Sequence, residues 1–569
     1  MDIKKPIRQF LPQDFELSTW EKLKPYFELL VKKEINSKKE LMQWFVDKSE
    51  LEAVLSENLA WRYIKMTCDT SDKGLTKSYE EFVTQIQPHI SPYDDLLNRK
   101  AIESPYLTAL EKEEGFAVMI RSIKMNIEIF REENIPLEAV LATESQKYGA
   151  ITGGMSVEFD GEEITLQQAS IKLKDNDRKV REKAYHKIAE RRHQDSIKLD
   201  DLFSELITLR HQVALNAGFD NYRDYMFKAM GRFDYTPQDC FDFHDAIEHE
   251  VMPLMAKFLE ERKEKLGLEK MRPWDTLVDV EGNRPLKPFS NAKELTEKTV
   301  KAFNKIDPYF GDCIDTMDKM GHLDLDSRKG KSPGGYNYPL SEIGVPFIFM
   351  NATSQQRDLT TMIHEGGHAI HSFLTRDLLL SDFKDTPAEV AELASMSMEL
   401  ISMDQWDLFF DDKEELRRAK KEQLEGVLET LPWVAIIDKF QHWLYENPKH
   451  SQEERTIAWN NIFDRFSTGI VNWDGLEKFK NYAWQKQLHL YEVPFYYIEY
   501  AMAQLGAIAM YKSYKENKVK GLEGYKQALE LGYTKPIADI YKAGGIKFDF
   551  SRPYIADLVK FIKDELNNL

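Results

Sequence analysis

LTTMIHEGGHAIHSF (359–373) organises the reading of this chain. Leu359, Met362, Ile363, Ile370 and Phe373 recur at helical spacing, with Ser354 as the N-cap expected upstream. The spacing sets His364 and His368 at i and i+4, on one face and close enough to share an ion. Glu365 lies beside His364 and opens the same way. In this H-E-x-x-H pattern two imidazoles hold a zinc ion while the glutamate acts as base toward water. A pair of surface histidines on an amphipathic helix is the bland alternative. Gly366 and Gly367 weigh against it: glycine inside a helix costs about 1 kcal/mol relative to alanine, which implies close approach by a strand or a substrate.

A catalytic zinc takes a third protein ligand and keeps one position open. Asp385-Thr386-Pro387-Ala388-Glu389 reads as a helix start, with Thr386 as N-cap, Pro387 at N1 and Glu389 closing a capping box. Glu389, Glu392, Met396 and Glu399 then share a face. A carboxylate on a small, apolar helix is costly to bury unless it is paired or metal-bound. Capping accounts for Glu389, so Glu392 is the expected ligand. Glu399 either orients a ligand imidazole or is an ordinary solvated glutamate. His371 reads as a hydrogen-bonded interior histidine, outside the ligand set.

Outward from this centre, residues 1–150 read as successive helices, with capping boxes at Ser18–Glu21 and Ser37–Glu40. MSVEFDGEEITL (155–166) is a hairpin turning at Asp160-Gly161. Charged helices follow to 265, and 266–293 reads as an extended crossing segment. A second β signal spans 334–352, with Phe347–Met350 as a short apolar strand. The fold class is mainly α, with a small antiparallel sheet next to the zinc helix. Residues 1–180 form an N-terminal helical region and 181–569 a catalytic domain.

The 569 residues are 42% hydrophobic and 30% charged, enough for a large core. A net charge of −19 makes nucleic acid and anionic membrane poor partners. Cys68, Cys240 and Cys313 form no CxxC pair, which fits a reducing compartment and argues against a thiolate zinc site. With no signal-like N-terminus and no long apolar run, the expected location is cytoplasmic.

HEGGHAIHSF followed by PAEVAELASMSMEL resembles the M3 family of metallopeptidases, in its oligoendopeptidase F and Pz-peptidase branch. RPWDT (272–276), GKSPGGYNY (330–338) and FYYIEYAMAQLGA (495–507) extend the resemblance over roughly 200–569. It implies two helical lobes around a deep channel with one zinc per chain, His364, His368 and Glu392 as ligands, and Glu365 as base. Oligopeptides are the implied substrates. It also implies transition-state donors within 489–500: His489, with Tyr497 and Tyr500 sharing a helix face at i and i+3, and Tyr496 as competitor. Phe347, Ile348, Phe349, Met350 and Asn351 resemble the family's substrate-binding edge, with Gly334, Gly335 and Tyr336 in a covering loop. A carboxypeptidase or dipeptidase on a related fold, and a non-catalytic peptide binder, are the alternatives.

Overall fold

In a computed structural model, which describes every residue except Asp2 and Pro333, helices run from Trp20 to Asn567 around two small sheets. Pro333, part of the GKSPGGYNY stretch, is thus outside the described residues.

The N-terminal helices have their own core, where Leu23, Phe27, Trp44, Phe45, Leu51 and Phe116 meet Leu380 and Phe383. Ser37 caps the helix Lys38–Cys68 as expected, accepting from the Glu40 N–H at 3.2 Å. At Ser18 the start slips by one residue. Thr19 is the last extended residue and the helix begins at Trp20, so Ser18 is not the cap. The hairpin pairs β1 (Ser156–Phe159) with β2 (Glu162–Thr165), turning through Asp160 and Gly161, both at positive φ. Its Val157 packs into the larger, C-terminal core.

The second sheet has three strands, β3 (Leu323–Asp326), β4 (Tyr336–Tyr338) and β5 (Phe347–Ala352), in the order β3-β5-β4. β4 pairs antiparallel with β5, Asn337 opposite Ile348. β3 adds a parallel edge, Leu323 opposite Ile348. The short alternation LDLD did not signal this strand.

β5 is therefore central and paired on both sides. This corrects the expectation that Phe347–Asn351 offers a free edge. Phe347, Ile348, Phe349 and Met350 are buried, so they anchor the sheet instead of touching a substrate. The free edge beside the histidine helix is β4.

Candidate active site

The histidine helix runs from Gln356 to Thr375. Its N-cap is Gln355, not Ser354, which sits in the left-handed region (φ 68°). Asp358 closes the start by accepting from the Thr353 and Gln355 N–H groups at 2.7 and 2.9 Å.

The glutamate helix, Ala388–Ile401, crosses it at the glycines. A Cβ on Gly367 would stand 2.6 Å from Ser395 Cα, and one on Gly366 would stand 2.8 Å from the Phe303 ring. What the glycines admit is a helix and a phenyl ring, not a strand or substrate. Pro387 is the last non-helical residue, so neither Thr386 nor Glu389 caps this helix. Glu389 is instead buried, close enough to Arg232 and Glu499 to influence both electrostatically.

The crossing brings His364, His368 and Glu392 together, their ligand atoms within 4.8 Å of one another. Glu392 Oε2 is 3.3 Å from His364 Nε2 and 3.7 Å from His368 Nε2. Ser395 Oγ donates to the same carboxylate oxygen at 3.0 Å. His364 Nδ1–H donates to Glu399 Oε1 at 2.7 Å, a carboxylate being acceptor only, which turns Nε2 toward Glu392. Glu399 Oε2 in turn accepts from Gln423 Nε2 at 2.7 Å. His371 is buried outside this cluster, and its Nε2 makes no hydrogen bond among the described residues.

Electrostatics here favours a cation. Burial opposes charge on His364, yet hydrogen bonds to Glu392 and Glu399 raise its pKa well above the usual histidine range. Burial pushes Glu392 up, but His364 and His368 prevail and hold it at about 2. The carboxylates thus draw onto His364 the positive charge that a divalent ion would bring. A borderline-soft ion suits two imidazoles and a carboxylate. Burial raises Glu365 to about 7, in the range of a working base. Its backbone carbonyl accepts from Asn337 Nδ2 on β4 at 3.1 Å, tying the sheet to the helix.

The donor segment is held by buried arginines. Arg210 donates to the carbonyls of Leu490, at 2.8 Å, and Tyr491. Arg232 donates to the Phe495 carbonyl and, at 2.9 Å, to Glu499. Phe495 has φ 69°, a strained value for a bulky residue, and its N–H donates to buried Gln441 Oε1 at 2.6 Å. The helix Tyr497–Glu516 begins just beyond it.

The His489 ring faces all three tyrosines, with centroids 6.2, 4.9 and 5.8 Å from Tyr496, Tyr497 and Tyr500. Burial raises all three phenols. The charge of Glu392 reaches Tyr496 and Tyr500, whereas Tyr497 turns to Trp433. The rings of Tyr496 and Tyr500 have centroids 5.4 Å apart. On the sheet side, Asn351 Nδ2 donates to the carbonyls of Ser332 and Gly334 at 2.8 and 2.9 Å, and Tyr336 stacks on Phe349 at 4.8 Å. Gly335 backs onto the Phe349 carbonyl. Asn337, Gln423, Arg210, Arg232 and Gln441 carried no sequence signal.

Comparison with known proteins gives the family of the chain. The pattern described as "Peptidase family M3" matches residues 171–559, and "Peptidase M3 N-terminal domain" matches residues 10–130, so the likeness also takes in the N-terminal helices. An oligoendopeptidase F homolog of Borreliella burgdorferi is 22% identical, covering 93% of this chain and 89% of its own length. One from Lactococcus lactis is 20% identical, covering 82% and 74%. The solved structure of Pz peptidase A with an inhibitor superposes with a TM-score of 0.89 at 26% identity, over 99% of each chain.

Proposed function

The chain belongs to peptidase family M3, and on that basis we propose how its residues divide the work of a metal-dependent endopeptidase that hydrolyses oligopeptides. Zinc is the ion we assign, held by His364, His368 and Glu392. When bound, it supplies Lewis acidity toward the scissile carbonyl and lowers the pKa of water.

The remaining steps fall to side chains. Glu365 takes the proton from the attacking water and passes it to the leaving amine. Tyr496 and Tyr500 donate O–H groups to the developing oxyanion, with His489 beside them. Glu399 and Gln423 fix the His364 ring. The peptide main chain adds to the free edge of β4, a contact that reads backbone more than side chain. The observation that carries this reading is the convergence of two imidazoles, one carboxylate and an upshifted Glu365 at a single helix crossing.

Among the described residues no helix is long and apolar enough to cross a membrane, and the three cysteines are free. Both support a cytoplasmic placement.

A quenched fluorescent peptide blocked at both ends tests the function. We expect chelator-sensitive internal cleavage, reduced about 100- to 10 000-fold in Glu365→Gln. Equal rates in wild type and Glu365→Gln, or processing of free C-termini only, would refute it.

A further inference from the structure

A second cluster of ligand-type side chains lies apart from this site. Cys240 and His244 stand at i and i+4 on the helix Pro237–Ala246, and Asp438 and His442 at i and i+4 on the helix Lys413–Glu446. One ligand atom from each of Cys240, Asp438 and His442 lies within 4.8 Å of the other two. His244 Nε2 is 2.8 Å from Asp438 Oδ2, and His442 Nε2 is 3.2 Å from the same oxygen. All four side chains are at most 2% exposed.

Their polar atoms are not used up by one another. Both nitrogens of His442, Asp438 Oδ1 and His244 Nδ1 make no hydrogen bond. A buried polar group left in that state costs about 1–3 kcal/mol. His442 Nε2 lies 3.2 Å from Asp438 Oδ2, a spacing close to the 3.3 Å between His364 Nε2 and Glu392 Oε2. Arg232 and Lys439 are cations whose charge reaches this cluster, Arg232 being shared with Glu389 and Glu499.

We propose that Cys240, Asp438 and His442, with His244 as fourth donor, bind a second divalent cation of the zinc class in a closed structural site. Binding releases the Cys240 thiol proton to solvent and forms a sulfur–metal bond; no other covalent bond changes. Ligand bonds of about 2.0–2.3 Å require the donors to draw together by roughly 1 Å. The absence of a neighbouring cysteine had argued against any thiolate site, but the partners come from a helix far along the chain. Gln441, next to His442, holds the strained Phe495, so the ion would stiffen the support behind Tyr496 and Tyr500.

The test uses full-length protein carrying Cys68→Ser and Cys313→Ser, produced in cobalt-supplemented medium. We expect two metal ions per chain by elemental analysis and a thiolate-to-cobalt charge-transfer absorption, which the sulfur-free His364/His368/Glu392 set cannot give. His364→Ala with His368→Ala should lose one ion and keep the band; Cys240→Ser should lose the band. If Cys240→Ser does not fold, the parent spectrum decides. A folded, active parent without the band, or a band that survives Cys240→Ser, overturns the proposal.

Discussion

Three nearby phenols, Tyr496, Tyr497 and Tyr500, look interchangeable in sequence and differ in the charges that reach them. Phe495 at φ 69° ends the preceding turn, and Tyr496, just before the helix Tyr497–Glu516, already has helical dihedrals. A shared face at i and i+3 favours Tyr497 with Tyr500, but Tyr496 and Tyr500, at i and i+4, share one equally. The charge of Glu392 reaches Tyr496 and Tyr500. We expect Tyr496→Phe and Tyr500→Phe each to lower kcat by about 100- to 1000-fold with little change in KM, the signature of a transition-state donor. Tyr497→Phe should stay within a few-fold of wild type; equal losses at all three positions would remove the distinction. The clustering of His364, His368 and Glu392, the proposed metal ligands, was legible in a way that the tyrosines were not. Two lie on one regular helix, and Glu392 betrays itself by the cost of burying a carboxylate among small apolar residues. Asn337, Gln423 and Gln441 are neutral amides whose roles depend on partners far away in sequence, so no local pattern marks them.

At the scale of the element, the site is a helix crossing made possible by Gly367. Adding one methyl there drives it against the Ser395 backbone, and overpacking of this kind costs about 1–3 kcal/mol. We expect Gly367→Ala to lower the denaturant midpoint and weaken metal binding together, because the two ligand helices move apart. Gly426, in the long helix with open space around it, is the control. Gly426→Ala should gain about 0.5–1 kcal/mol. A Gly367→Ala protein as stable as wild type would show that the crossing has slack. The elements themselves were legible from periodicity and from the Asp160-Gly161 turn. Their ends were not: three helix starts fell on a neighbouring residue, where extended and helical dihedrals compete closely. β3 escaped because four residues of alternating Leu and Asp read equally well as loop, and with it went the central position of β5.

Across the whole molecule, RPWDT (272–276) serves as a clasp. Buried Asp275 accepts from Arg178 at 3.0 and 2.8 Å, from Arg181 at 3.0 Å and from the Arg272 N–H at 2.9 Å. It joins the crossing segment to the helix Arg178–Gln194. Burial raises its pKa, but Arg178, the Arg272 backbone and Arg181 outweigh this and hold it below the usual carboxylate range. The folded protein therefore binds fewer protons at this site than the unfolded chain as pH falls. The stabilisation is complete above the unfolded value, about 4, and is lost as pH drops through the lower folded one. Asp275→Asn should cost about 3 kcal/mol at neutral pH, with a gap to wild type that narrows below pH 4 in denaturant titrations. A gap independent of pH would assign the effect to shape instead of charge. Such long-range pairing is invisible to a local reading; only the family likeness had drawn attention to the motif.

β4 is three residues long, with one side paired to β5. On the proposed reading, a visiting chain is recognised there by the amides and carbonyls that it has left uncommitted. A polypeptide inside a folded domain has already matched those groups internally, while a short flexible one has not. Discrimination between the two would then begin as a question of hydrogen-bond vacancy, decided at the sheet edge before the size of either molecule matters.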